Sequence, residues 1–268
     1  MRVVAVAGAK GGVGKSAAAV NLAMIAARAG FRTLLWDLDP NGAATHCYRA
    51  HARVKGGASR LLGGKRGLET YIRRTDERRL DLLPADPSFR VVDTILSTRR
   101  RPDRVLSRLL APLGAVYDVA ILDCAPGLGV VTESVLAASD LLLAPIVPSP
   151  LALRSLDQVE EFVNEHRSGV PLLAFLSMLD ERKVLHRQVV AQVRGDRRFA
   201  LAAVPASSAV ERMGLEQVPA VVASPRNLAA VAYRRLWAEV EDRLDLEPAG
   251  RTVIDLTDQP VPAVAAPG

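Results

Sequence analysis

The chain has 268 residues, 49% hydrophobic and 24% charged, with a formal net charge of +6, a balance that fits a folded globular protein and excludes a disordered one. No run of eighteen apolar residues occurs and the N-terminus lacks the ordered regions of a secretory signal, so neither a spanning helix nor export is expected and the expected location is the cytosol. Cys47 and Cys124 are too few for a disulfide framework, lack metal-ligand spacing, and read as reduced thiols.

In chain order, strands are predicted over 3–7, 33–37, 80–84, 119–123, 141–147 and 172–178, with a shorter one at 201–204. Helices are predicted over 15–28, 151–165, 185–193 and 227–244. Apolar strands alternating with helical patterns argue for an α/β fold of three layers, a mostly parallel twisted sheet flanked by helices. One domain is expected over 1–246. Beyond it the composition turns to Pro, Ala, Asp and Thr without periodicity, and 247–268 reads as a flexible tail.

The first strand runs into AGAKGGVGKS, residues 7–16. A strand that ends in glycines and opens a helix gathers backbone N–H groups and the positive end of the helix dipole around one point, where a phosphate chain fits. Lys15 would reach the β- and γ-phosphates of a nucleotide and Ser16 would ligate Mg²⁺. The generic phosphate-loop spacing is broken because Ala9 stands where its first glycine belongs, and a second lysine, Lys10, lies too early in the loop to duplicate Lys15. This loop resembles the deviant Walker A motif of the ParA/MinD family of P-loop ATPases, nearest to the ParA-type (Soj-like) members. The resemblance implies ATP and Mg²⁺ as cofactors and Lys10, Gly11, Gly12, Val13, Gly14, Lys15, Ser16 and Ala17 as nucleotide contacts. It also implies that Lys10 crosses a dimer interface to the phosphates of the partner subunit.

Two further segments carry the resemblance. In LLWDLDPNGAAT, Asp37 and Asp39 alternate on one side of a strand end, where the carboxyl edge of an open sheet binds ligands; the segment also reads simply as a loop of turn-forming residues. The family implies a metal-shell role for Asp37 and a water-positioning role for Asp39, with Lys10 and Lys15 as its catalytic companions. In YDVAILDCAPGLGVVT, four apolar positions lead to Asp123 as a Walker B carboxylate holding Mg²⁺ with Ser16 and Asp37. Pro126, Gly127 and Gly129 then form a mobile switch, with Ala125 in place of a usual proline. Adenine contacts are implied near Met178 and Pro205.

Positive charge is uneven: residues 49–110 hold sixteen Lys/Arg against seven Asp/Glu, and 182–198 hold six against one. Such patches favour a polyanionic partner, although they also fit solvated faces. Aromatic residues make up only 4%, so nucleic acid would be held by its phosphates rather than by stacking. Lys183, Arg187, Arg194, Arg197 and Arg198, with Arg226 placed by family analogy, are the candidate DNA contacts. The expected function is an ATP-driven switch that dimerises, binds nonspecific double-stranded DNA at the nucleoid, and releases when a ParB-like or cargo-adaptor protein stimulates hydrolysis. It would segregate a chromosome or plasmid or position another large cargo. The tail, with three prolines after Leu256 and one arginine, does not favour a MinD-like membrane helix. A cluster-carrying redox protein lacks its cysteine motif here, and a small-molecule ligase or kinase on a related P-loop fold stays as the enzymatic alternative.

Overall fold

The computed structural model describes residues 1–166 and 169–248. Seven strands form one sheet: β1 (Arg2–Val6), β2 (Thr33–Asp37), β3 (Arg73–Arg74), β4 (Leu80–Leu83), β5 (Val119–Asp123), β6 (Leu141–Ile146) and β7 (Leu172–Leu176). Their spatial order is β3-β4-β2-β5-β1-β6-β7, and every pairing is parallel except β3 with β4. β2 and β5 bury all their residues, as strands covered on both faces must.

The helices used below are α1 (Lys15–Arg28), α2 (Ala43–Cys47), α3 (Gly57–Leu62), α4 (Val92–Ser97), α5 (Val105–Leu110), α6 (Val130–Ala138), α7 (Pro150–His166), α8 (Val184–Val193), α9 (Ser208–Glu211), α10 (Met213–Glu216), α11 (Ala220–Ala223) and α12 (Leu228–Leu244). One face of the sheet, presenting Val4, Val6, Leu35, Ile121 and Leu143, is covered by α1 and α12. The other, presenting Val3, Ala5, Leu34, Trp36 and Leu122, is covered by α3 to α7. Alternate residues of each strand thus feed opposite cores. Ala18, Ala19, Ala23 and Ala26 are fully buried; their small side chains let α1 lie close on the sheet, and Phe31 meets Trp237 of α12 edge-on with ring centroids 5.9 Å apart.

The register places the site. Asp123 is level with Val6 on one side and with Asp37 on the other, so the carboxyl ends of β1, β2 and β5 finish at one edge, where the phosphate loop and both acidic segments emerge. The predicted helices agree to within a residue at each end, and Asn227 caps α12 by accepting from the Ala229 N–H at 2.9 Å.

The strand expected at 201–204 does not form. The chain there runs beside β7 but pairs only at isolated bridges, Ala174 with Phe199 and Leu179 with Pro205. The ladder is interrupted because the amides of Leu201 and Ala202 donate to the Glu239 carboxylate at 2.9 and 2.8 Å, which turns Leu201 outward to 95% exposure. Of the segment read as a tail, 249–268 lies outside the described residues.

Candidate active site

The loop between β1 and α1 is shaped by backbone conformations that favour glycine: Gly12 and Gly14 have φ of +69° and +94°. A Cβ added at Gly14 would sit 2.8 Å from Ser177 Oγ, so the position needs glycine for space as well as for conformation. Among the described residues, no backbone N–H from Gly8 to Ala17 finds an acceptor. A row of unsatisfied donors at a helix N-terminus is an anion site. It borders an open cleft of about 330 Å³ lined by the loop glycines, Lys15, Ser16, Ala17, Asp39, Asn41, Pro126 and Met178.

The two lysines point apart. Lys15 is buried, with Nζ donating to the Lys10 carbonyl at 2.8 Å; burial lowers its pKa, opposed by its acidic neighbours, Asp123 first and Asp39 after it. Lys10 is exposed, absent from the cleft lining, and folds outward so that Nζ donates to the Leu151 carbonyl at the start of α7, 3.0 Å away.

The three aspartates differ in what satisfies them. Asp37 is fully buried and accepts from the Asp39 amide (3.1 Å), the Thr45 amide (2.8 Å) and the Thr45 hydroxyl (2.7 Å). Burial dominates these bonds and pushes its carboxyl up to about 6. Asp39, on the cleft wall, accepts from the Asn41 amide at 2.9 Å through Oδ1, which leaves Oδ2 available. Asp123 is fully buried with neither oxygen hydrogen-bonded. Burial and the neighbouring charge of Asp37 drive its pKa far above the carboxylate range, with the Ser16 hydroxyl and Lys15 pulling the other way.

An unpartnered buried carboxylate beside a serine hydroxyl is a hard-oxygen donor set that suits Mg²⁺. No group of three or more His, Cys, Asp or Glu side chains able to hold a metal occurs among the described residues. Cys47 and Cys124 are buried free thiols whose pKa values burial pushes upward.

Of the implied adenine contacts, Met178 lines the cleft, while Pro205 lies one bridge away against Leu179. The basic residues are dispersed. Lys183 and Arg194 flank α8 with extended backbone, so only Arg187 is on the helix itself, its guanidinium folded onto the carbonyls of Glu181 and Arg182 at 2.6 and 3.2 Å. Arg194, Arg197 and Arg226 are exposed. Arg198 is held by Asp196, Asp157 and Glu160 at 2.8, 3.1 and 2.8 Å. Sequence reasoning missed Thr45, which ties Asp37 to the Ala85 amide (2.9 Å), and Asn41 on the cleft wall. Neither carries a motif signal, because each acts through a fold-dependent contact.

Residues 1–170 match the AAA domain family. Over 252 residues the chain is 34% identical to the chromosome-partitioning ATPase Soj of Thermus thermophilus, covering 91% of this chain and 97% of that one. The chain belongs to the ParA/Soj family of P-loop ATPases. Among solved structures, this ParA/Soj-family ATPase is similar to cobyrinic acid a,c-diamide synthase from Mycobacterium smegmatis with bound ATP analogue and magnesium, at 25% identity and a TM-score of 0.75 over 91% of this chain and 96% of that one. A plasmid partition protein from Borrelia burgdorferi B31 bound to AMPPNP shares the fold at a TM-score of 0.80, with 21% identity over 90% of this chain and 99% of that one. Among the described residues of the ParA/Soj-type chain, no helix is long and apolar enough to cross a membrane.

Proposed function

We propose that the chain is a nucleotide switch: two copies close on two ATP molecules, the closed dimer holds double-stranded DNA without sequence preference, and hydrolysis, stimulated by a ParB-like or cargo-adaptor protein, releases it. Its work would be partition of a chromosome or plasmid, or positioning of another large cargo over the nucleoid. The observation that supports this reading is the divergence of the two loop lysines: Lys15 lines the cleft of its own chain, while Lys10 stands outside that cleft with its Nζ on the Leu151 carbonyl.

In this reading the free N–H groups of the loop cradle the phosphates, Lys15 neutralises the β- and γ-oxygens, and Met178 borders the base. Mg²⁺, held by Ser16 with Asp123 and the Asp37 shell beside it, supplies charge neutralisation at the phosphates. Asp39 Oδ2 accepts a proton of the attacking water and holds it in line. Lys10 of the other copy adds a cation in a closed, dry interface, where one such contact is worth roughly 2.7–4 kcal/mol by analogy with an oxyanion-hole donor. The DNA face rests on Lys183, Arg187, Arg194, Arg197 and Arg226, and dimerisation doubles their number. Arg198, already committed to three carboxylates, contributes least.

Light scattering with a slowly hydrolysed ATP analogue tests the switch. Lys10→Ala should stay monomeric while still binding nucleotide, and Lys15→Ala should lose both; a Lys10→Ala protein that dimerises like the parent contradicts the role in trans. A second reading, an ATP-dependent ligase acting on a small molecule, draws on the 25% identical diamide synthase. It requires ATP turnover that depends on a small acceptor rather than on DNA and a protein partner.

A further inference from the structure

The basic stretch between residues 49 and 110 plays no part in the nucleotide cleft or in the basic face around α8. The fold gathers part of it: Arg99, Arg100 and Arg101, in the turn after α4, and Arg108 on α5 line a cavity of about 510 Å³ whose wall includes Leu62 and Leu109. No carboxylate lines it, and among the described residues none of the four guanidiniums has a hydrogen-bond or ion-pair partner. The neighbouring acid, Asp103, is turned to Arg104 at 3.7 Å.

Four like charges in one concavity repel each other and raise the local potential for anions. Arginine forks take phosphate oxygens in pairs, and four of them match a ligand that carries several phosphates. The volume is that of a small-molecule site. Its lining has no aromatic ring to stack a base and no amide side chain to read one, so the phosphates themselves are what it recognises.

The walls of the pocket reach the nucleotide loop through α6. On the α4 side, Asp93 Oδ1 accepts from the Val131 N–H at 2.8 Å, and Gly129 lies so close that an added Cβ would stand 2.9 Å from the same oxygen. On the α5 side, the Leu106 amide donates to Ser134 Oγ at 3.1 Å. Just ahead of α6, the Gly127 N–H donates to the Gly8 carbonyl at 3.3 Å and Pro126 lines the nucleotide cleft. A ligand that joins the arginine turn to Arg108 therefore holds α6 from both sides, and with it the segment that touches the phosphate loop.

We infer that this arginine pocket is a regulatory site for a compact polyphosphate, free or carried on a small metabolite, whose binding steadies residues 124–129 beside the nucleotide cleft. It is separate from the switch cycle proposed above, since it shares no residue with the nucleotide cleft and needs neither DNA nor a second copy of the chain.

The test uses the full chain carrying Lys15→Ala, which disables the nucleotide loop as a competing phosphate site, in metal-free buffer. Calorimetric titration with inorganic tripolyphosphate should show one site per chain. Adding Arg100→Glu/Arg108→Glu should abolish it. Arg99→Ala/Arg101→Ala, which introduces no new charge, should weaken it by about tenfold or more, as the loss of charge-assisted contacts requires. Tripolyphosphate should also slow proteolysis between Pro126 and Val130, and neither double variant should gain that protection at the same concentration. With Lys15 restored, both double variants should keep the parent's ATP affinity and basal hydrolysis, so failure of the pocket and failure of the switch register separately. Fructose 1,6-bisphosphate binding in place of tripolyphosphate, with the same dependence on the arginines, would put the phosphates on a metabolite and supports the inference equally. The inference is overturned if neither compound binds, if the double variants bind as well as Lys15→Ala alone, or if binding leaves the cleavage unchanged. It is also overturned if poly-glutamate or a short duplex occupies the pocket more tightly than either phosphate compound, which would mark a protein or nucleic-acid surface instead.

Discussion

Asp123 sets the electrostatics at the level of single residues. A carboxylate buried without a hydrogen bond costs several kcal/mol unless it takes up a proton or meets a cation, and here it lies among Asp37, Asp39 and Lys15. For Asp37 the folded carboxyl titrates near 6 against an ordinary value of 3.8. The folded state therefore holds that proton more tightly, and the stability this provides is full below the ordinary value and lost as pH rises through about 6. Asp123 is shifted in the same direction. Asp123→Asn should accordingly raise the melting temperature of the nucleotide-free protein at pH 7.5, by roughly 2–4 °C for each kcal/mol relieved in a domain of this size, with the gain shrinking as pH falls towards the ordinary carboxylate value. The same variant should lose the extra thermal stability that Mg²⁺ and ATP give the parent. A variant that melts below the parent without ligand at pH 7.5 would show that its carboxylate is stabilising as it stands.

Among the elements, α6 shows how the segment after Asp123 is fastened. Gly129 precedes it with no side chain to cap the helix, and the cap comes from α4 instead: Asp93 Oδ1 accepts from the Val131 N–H at 2.8 Å, placing an anion at the positive helix end. Asp93→Ala should cost about 1 kcal/mol of stability and speed proteolysis between Pro126 and Val130, whereas unchanged cleavage would mean the segment is held by other contacts. The basic residues give a second comparison. Arg197→Glu should leave the melting temperature unchanged and lower the salt slope of ATP-dependent DNA binding by about 0.9 per lost contact. Arg198→Glu should lower the melting temperature, because it sets a fourth negative charge among Asp157, Glu160 and Asp196. Equal slopes for parent and Arg197→Glu would remove this face from DNA binding. These contrasts also mark what was legible in the sequence. The helix Lys15–Arg28 and the parallel strands declare themselves through local apolar patterns, and the phosphate loop and both acidic segments through their place at strand ends and their resemblance to the deviant Walker A family. β3, α3 to α6, the Thr45 and Asp93 contacts and the pairing of Arg198 were not legible: the elements are short, and Thr45 with Ala85, Asp93 with Val131 and Arg198 with Asp157 and Glu160 join positions distant in sequence. The expected strand at 201–204 failed for a similar reason, since Glu239 on a distant helix takes the amides that would have extended the sheet.

At the scale of the whole molecule, the carboxyl ends of β1, β2 and β5 bring one loop and two acidic segments to a common edge, and the remaining question is whether one chain is a complete catalytic unit. Lys10 outside its own cleft argues that it is not. Mixing two inactive variants decides this. Lys10→Ala keeps Asp39 but lacks the lysine to donate; Asp39→Ala keeps the lysine but cannot position the water. If Lys10 acts across the interface, the mixed dimer contains one site with Asp39 from the first variant and Lys10 from the second. ATP hydrolysis, measured with DNA and an activating partner, should then recover on mixing, limited to the one competent site of each mixed dimer, although each variant alone is inactive. If Lys10 serves its own chain, both sites of the mixed dimer stay defective, and a mixture no more active than its components would contradict the account.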